Sequence, residues 1–159
     1  MSITNSTLSG NRAGESGGTI CSSGELNISN STIINNTADF DGDDEGDGGG
    51  INCRGGTVTL KNTIVAENAD NSPQGNAYPD ISDISGNITG NAYNLIADMT
   101  GAGGGTVGTG SDIVNPSPGL GGLLDNGGPT QTHALLTSSP AINATADCTD
   151  LDSNPVITD

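Results

Sequence analysis

The densest cluster of acidic side chains lies in DFDGDDEGDGGG, residues 39–50. Asp39, Asp41, Asp43, Glu45 and Asp47 alternate there with small or flexible residues. Hard carboxylate oxygens presented by a turning backbone are the ligands calcium takes, so these residues are the candidate metal set. The run is not an EF-hand, because Asn52 stands where the closing glutamate belongs. It does not match the glycine-rich calcium nonapeptide either. A solvated acidic loop is the alternative.

Catalysis would ask more of the same loop. Polysaccharide lyases built on parallel strands use calcium-bound carboxylates beside a basic side chain, and Arg54 and Lys61 are the cations nearest in sequence. Glycoside hydrolysis needs two carboxyl groups at a fixed separation, which a Gly-rich loop holds poorly. Phe40, Tyr78 and Tyr93 are the only aromatics available to stack on sugar rings. No catalytic set is assigned, and a lyase-like enzyme using the acidic loop with Arg54 or Lys61 is the second reading. His133, the only histidine, has no Ser or Cys arrangement beside it in sequence and is read as a structural hydrogen-bonding group. The cysteines (Cys21, Cys53, Cys148) are too few for a disulfide scaffold and lack CxxC spacing. Cys21 and Cys53 fall at matching places of successive repeats, where a disulfide or two buried thiols both fit.

The elements that must position these groups are repeats. NSTLSGNRA (5–13), NSTIINNTA (30–38) and NTIVAENA (62–69) are variants of one unit. Such self-similarity marks a repeat architecture in which stacked units share a core. Ile3, Ile28 and Leu60 align, then Leu8, Ile33 and Ile64, with the third unit one residue short so that Ser31 lacks a counterpart. Apolar residues alternate with Ser, Thr and Asn in LNIS and TVTL, the period of a strand with one buried face. No helical apolar stripe with caps is present.

The expected fold is all-β: a right-handed, single-stranded parallel β-helix with an irregular C-terminal cap. Its repeats lie near 3–13, 26–38, 58–69 and 81–97, with residues 39–50 projecting as a loop. In the fourth, Ile84, Ile88, Leu95 and Ile96 are the expected core. Residues 99–159, rich in Gly and Pro turns, supply the final unit and cap. Asn5, Asn30 and Asn62, and Asn11, Asn36 and Asn68, are expected to form ladders at the turns, where Asn tolerates unusual backbone angles and bonds neighbouring amides. The glycosylation sequons at Asn5, Asn30 and Asn87 are by-products of that pattern.

A net charge of −16, with Arg12, Arg54 and Lys61 as the only strong cations, excludes a basic nucleic-acid surface. It equally opposes attraction to anionic membranes. No apolar run is long enough for a membrane span, so direct insertion is not expected. Met1 opening onto a strand reads as a fragment whose upstream repeats and export signal are missing. Its unpaired edge near Ile3 to Leu8 suits head-to-tail self-association into filaments.

DNGGPTQTHALL (125–136) followed by SSPAIN (138–143) resembles the choice-of-anchor Q domain of bacterial surface and secreted proteins. The upstream units, with GGTI and GGGI leading into NST or NT, are similar to the parallel β-helix repeats that precede that domain. Thr137 and Asn143 depart from the family's usual Pro and Asp. The resemblance implies an extracellular or cell-surface β-helix, structural or adhesin-like, with glycans or a host or neighbouring cell surface as partners.

Overall fold

The structure, a computed structural model, describes residues 1–43, 45–72, 77–83, 87–146 and 149–155. These residues are all-β, with no helix among them. The first repeat supplies β1 (Ser2–Thr4), β2 (Thr7–Ser9) and β3 (Ile20–Ser22). The second supplies β4 (Glu25–Ser29), β5 (Thr32–Ile34), the short β6 (Thr37–Ala38) and β7 (Ile51–Cys53). β8 (Thr57–Lys61), β9 (Ile64–Ala66), β10 (Ala69–Asp70) and β11 (Ile81–Asp83) follow. After them come β12 (Asn87–Gly90), β13 (Leu95–Ile96) and β14 (Ile113–Val114), then a hairpin of β15 (Leu120–Leu124) and β16 (Thr132–Leu135).

Each repeat adds a parallel strand to the sheet of the repeat before it. The sheets run β1-β4-β8-β12, β2-β5-β9-β13-β14 and β3-β7-β11, with β6 beside β10. Equivalent residues therefore stack in rows: Ile3 on Ile28 on Leu60, and Leu26 on Val58 on Ile88. Every second residue of a strand faces inward, which gathers Ile28, Ile33, Ile51, Val58, Leu60, Val65, Ile81 and Ile88 into one fully buried cluster. Burial of each such side chain contributes about 1.5–3 kcal/mol, which compensates for the scarcity of aromatics. Ile81 belongs to this core too, stacked on Ile51, although it is not among the residues expected there.

The register differs from the sequence alignment in the third repeat. Val65, not Ile64, lies against Ile33, and Ile64 lies against Thr32. Nothing is missing there: Ile64 N–H donates to the Ser31 carbonyl and Leu95 N–H to the Thr63 carbonyl, so Thr63 is the counterpart of Ser31. A one-residue slip would turn every side chain of β9 to the wrong face. Ile88, Leu95 and Ile96 are buried, while Ile84 lies outside the described residues.

Residues 39–50 do not all project. Gly48, Gly49 and Gly50 are buried, and the Gly18 and Gly50 amides donate to the Gly48 and Pro79 carbonyls. A Cβ on Gly49 would lie 2.2 Å from the Ala69 carbonyl oxygen, so only glycine admits this approach of backbone to backbone. The triple glycine is thus part of the sheet framework, and the excursion narrows to the residues before it.

The C-terminal part is not a simple end cap. Ile34, Ala66 and Leu95 are buried yet out of phase with the inner cluster, so they are covered from the opposite face. Near that face His133 of β16 meets Ser9 of β2, at 2.9 Å. Further on, Thr149 accepts hydrogen bonds from Asn30 through its carbonyl, 3.1 Å, and from Lys61 through its hydroxyl, 2.6 Å. The segment after β14 therefore runs back beside the earlier repeats and straps them together.

Candidate metal centre

Of the acidic run, the structure brings together Asp39, Asp41 and Asp43. One carboxylate oxygen from each lies within 4.8 Å of the other two. The base of the excursion is fixed to the first repeat: Asp39 N–H donates to the Glu15 carbonyl and Phe40 N–H to the Ala13 carbonyl, at 3.3 and 2.9 Å. Asp39 takes a left-handed backbone angle, φ 49°, which turns the chain out of β6. Its Oδ1 accepts the Asp43 N–H at 3.1 Å and so draws the following turn over it. Gly14 leaves room for Asp41, because a Cβ there would sit 2.9 Å from Asp41 Oδ2. The Arg12 guanidinium stacks 4.4 Å from the centre of the Phe40 ring, beside the cluster.

Asp39 is the unusual member. It is fully buried, and its Oδ2 is buried without a hydrogen-bond partner among the described residues. Asp41 and Asp43 are exposed. Glu45 and Asp47 do not join the trio. Glu45 donates its N–H to Asp43 Oδ1 at 3.2 Å. Asp47 is drawn into a separate group with Ser16, Arg54 and Asp70. Its N–H donates to Ser16 Oγ at 3.1 Å, and Arg54 Nη2 donates to the same oxygen at 2.9 Å. Partial burial raises the Asp47 pKa, the Asp70 charge raises it further, and Arg54 acts the other way. The five-residue set predicted from sequence is therefore divided by geometry.

Several asparagines of the repeats are engaged in ladders. Asn11 Nδ2 donates to Asn36 Oδ1, Asn36 Nδ2 to Asn68 Oδ1, and Asn68 Nδ2 to Asp80 Oδ1, at 2.9, 2.9 and 2.8 Å. At each step the backbone N–H of the earlier residue donates to the same oxygen. Asp80 ends the ladder, and its Oδ2 accepts the Asp98 N–H at 2.8 Å. Burial raises the Asp80 pKa to about 6, against the lowering effect of the Asn68 and Asp98 donors. A second ladder passes from Thr63 N–H to Asn94 Oδ1 and from Asn94 Nδ2 to Asp112 Oδ1, at 3.0 and 2.9 Å. In the other predicted set, Asn62 Nδ2 donates to Asn30 Oδ1 at 3.2 Å. Asn5, Asn30 and Asn62 all take φ near 50°.

The two terminal aspartates were missed in the sequence. Neither falls at the repeat spacing, because the connecting loops differ in length. The one available signal is that each directly precedes the isoleucine that opens a strand, Asp80 before Ile81 and Asp112 before Ile113.

The remaining candidates are structural in placement. Lys61 is buried and its Nζ donates to Thr149 Oγ1 and the Asp150 carbonyl. His133 Nδ1 lies 2.7 Å from the Gly121 carbonyl. A carbonyl only accepts, so Nδ1 donates to it, and Nε2 shares a hydrogen bond with the Ser9 hydroxyl. Of the two readings of Cys21 and Cys53, a disulfide or two buried thiols, neither holds. Cys21 is opposite Asn52, and Cys53 opposite Ser22. That one-residue offset puts the two side chains on opposite faces, and both thiols are free, Cys21 exposed and Cys53 buried. Cys148 lies outside the described residues.

No family model, curated protein or solved structure matches this chain.

Proposed function

We propose that this chain is a non-enzymatic, exported structural segment, a right-handed parallel β-helix displayed outside the cell or on its surface in the manner of a stalk or adhesin. The observation that carries the reading is the commitment of its reactive side chains to holding repeats together. Arg54 is bound to Ser16, Lys61 to Thr149 and Asp150, and His133 to Ser9 and Gly121. A lyase would need a cation directed at substrate beside the carboxylates; none of these bonds is made to the Asp39–Asp41–Asp43 group, and Arg12 beside it is stacked on the Phe40 ring. The resemblance of residues 125–143 to the choice-of-anchor Q domain supports the surface location.

The outward face of β1-β4-β8-β12 is the contact surface in this reading. Ser2, Asn27, Thr59 and Thr89 follow one another across it, beside Glu25, Thr57 and Asn87. Strands about 4.8 Å apart make this a flat row of small polar groups, suited to hydroxyl-rich glycans or a neighbouring cell surface.

The test is a panel of acidic polysaccharides and surface glycans incubated with the protein in calcium buffer. Binding without turnover is expected. Cleavage that disappears in Arg54→Ala or Lys61→Ala variants that remain folded would replace this reading with the enzymatic one.

A further inference from the structure

We infer that Asp39, Asp41 and Asp43 bind one calcium ion, which locks the excursion after β6 onto the first repeat. The inference goes beyond the structural role proposed above and does not depend on it. Acidic clusters on protein surfaces are common without a metal. Here the second observation is Asp39, a fully buried carboxylate with one oxygen lacking any partner among the described residues. A buried carboxylate oxygen without a partner is costly, whereas coordination to a cation relieves it.

The dimensions fit calcium. Ligand oxygens sit about 2.4 Å from the ion, so two of them are at most about 4.8 Å apart, on opposite sides. The three aspartate oxygens lie within that span. Magnesium demands strict octahedral geometry and keeps several of its own waters, whereas the flexible calcium shell suits three carboxylates on an irregular turn. Three carboxylates leave the further positions of a calcium shell to water or to backbone carbonyls of the turn. Since Asp39 and Phe40 already hydrogen-bond to Glu15 and Ala13, an ion shared with Asp41 and Asp43 ties the exposed part of the turn to β-sheet framework.

Titration calorimetry with calcium chloride, paired with thermal melts in calcium and in chelator, tests this. The wild-type chain is expected to take up one ion per molecule saturably and to melt several degrees higher in calcium. Asp41→Asn with Asp43→Asn, both at exposed positions, should keep the fold and lose the saturable heat and the calcium-dependent rise. Asp39→Asn should lose them too. Glu45→Gln should bind as wild type does. Absence of saturable binding by the folded wild-type chain would overturn the inference. So would equal loss on Glu45→Gln, or tighter binding of magnesium than of calcium.

Discussion

Acidification should stabilise this protein between pH 7 and pH 5, and Asp80 is the residue that should carry much of the effect. Asp80 is 1% exposed and ends the ladder of Asn11, Asn36 and Asn68. Its pKa moves from 3.8 to about 6 on folding, chiefly through burial. Because the folded value is the higher one, the native state binds a proton that the unfolded chain releases over this interval. Stability is then greatest at low pH, where both states are protonated, and declines as pH rises through about 6. The full difference is worth about 3 kcal/mol, of which about 1.4 kcal/mol develops between pH 7 and pH 5. Urea unfolding followed by circular dichroism at the two pH values measures it. Asp80→Asn is the control: it keeps an acceptor for Asn68 but leaves the Asp98 N–H unmet, a cost that does not change with pH. The variant should lose the Asp80 part of the slope while other carboxylates, including Asp47 with its raised pKa, still contribute. Identical slopes in wild type and variant, or wild-type stability that falls on acidification, would refute the reasoning.

Three other outcomes follow from particular contacts. Asn36→Ala removes a fully buried amide whose donors and acceptor are all used, and should cost about 2–4 kcal/mol by urea unfolding. Gly49→Ala forces a Cβ against the Ala69 and Pro79 carbonyl oxygens and should yield little folded protein, seen as loss of the β-type circular dichroism signal in the soluble fraction. In the native state a maleimide should label Cys21 rapidly and Cys53 only on unfolding, given their exposed and buried positions.

The strand framework was readable in the sequence because parallel repeats place like residues on like residues. Ile3, Ile28 and Leu60 occupy one row, and so do Leu8 and Ile33. The third repeat misled at Ile64 because both Ile64 and Val65 are apolar, and composition alone cannot choose which faces inward. Asp80 and Asp112 escaped for a different reason. Loop lengths between repeats vary, and an aspartate standing in for the last asparagine is invisible until the backbone brings it into line. The acidic run showed where a cation would go but not which carboxylates would share it. Alternation along a turn does not determine convergence, and Asp47 is turned instead towards Ser16 and Arg54. The strap formed by the C-terminal segment rests on contacts such as Ser9 with His133, whose partners are too far apart in sequence for any local pattern to reveal.

Buried amide ladders join the parallel repeats into one unit. Hydrogen exchange of the side-chain carboxamides of Asn36, Asn68 and Asn94, followed by nuclear magnetic resonance, tests it most directly. Protection approaching that of the slowest backbone amides in β8 and β9 is the predicted result, since each carboxamide opens only when neighbouring repeats separate. Exchange at the rate of a free asparagine side chain, in a chain whose backbone amides remain protected, would contradict it.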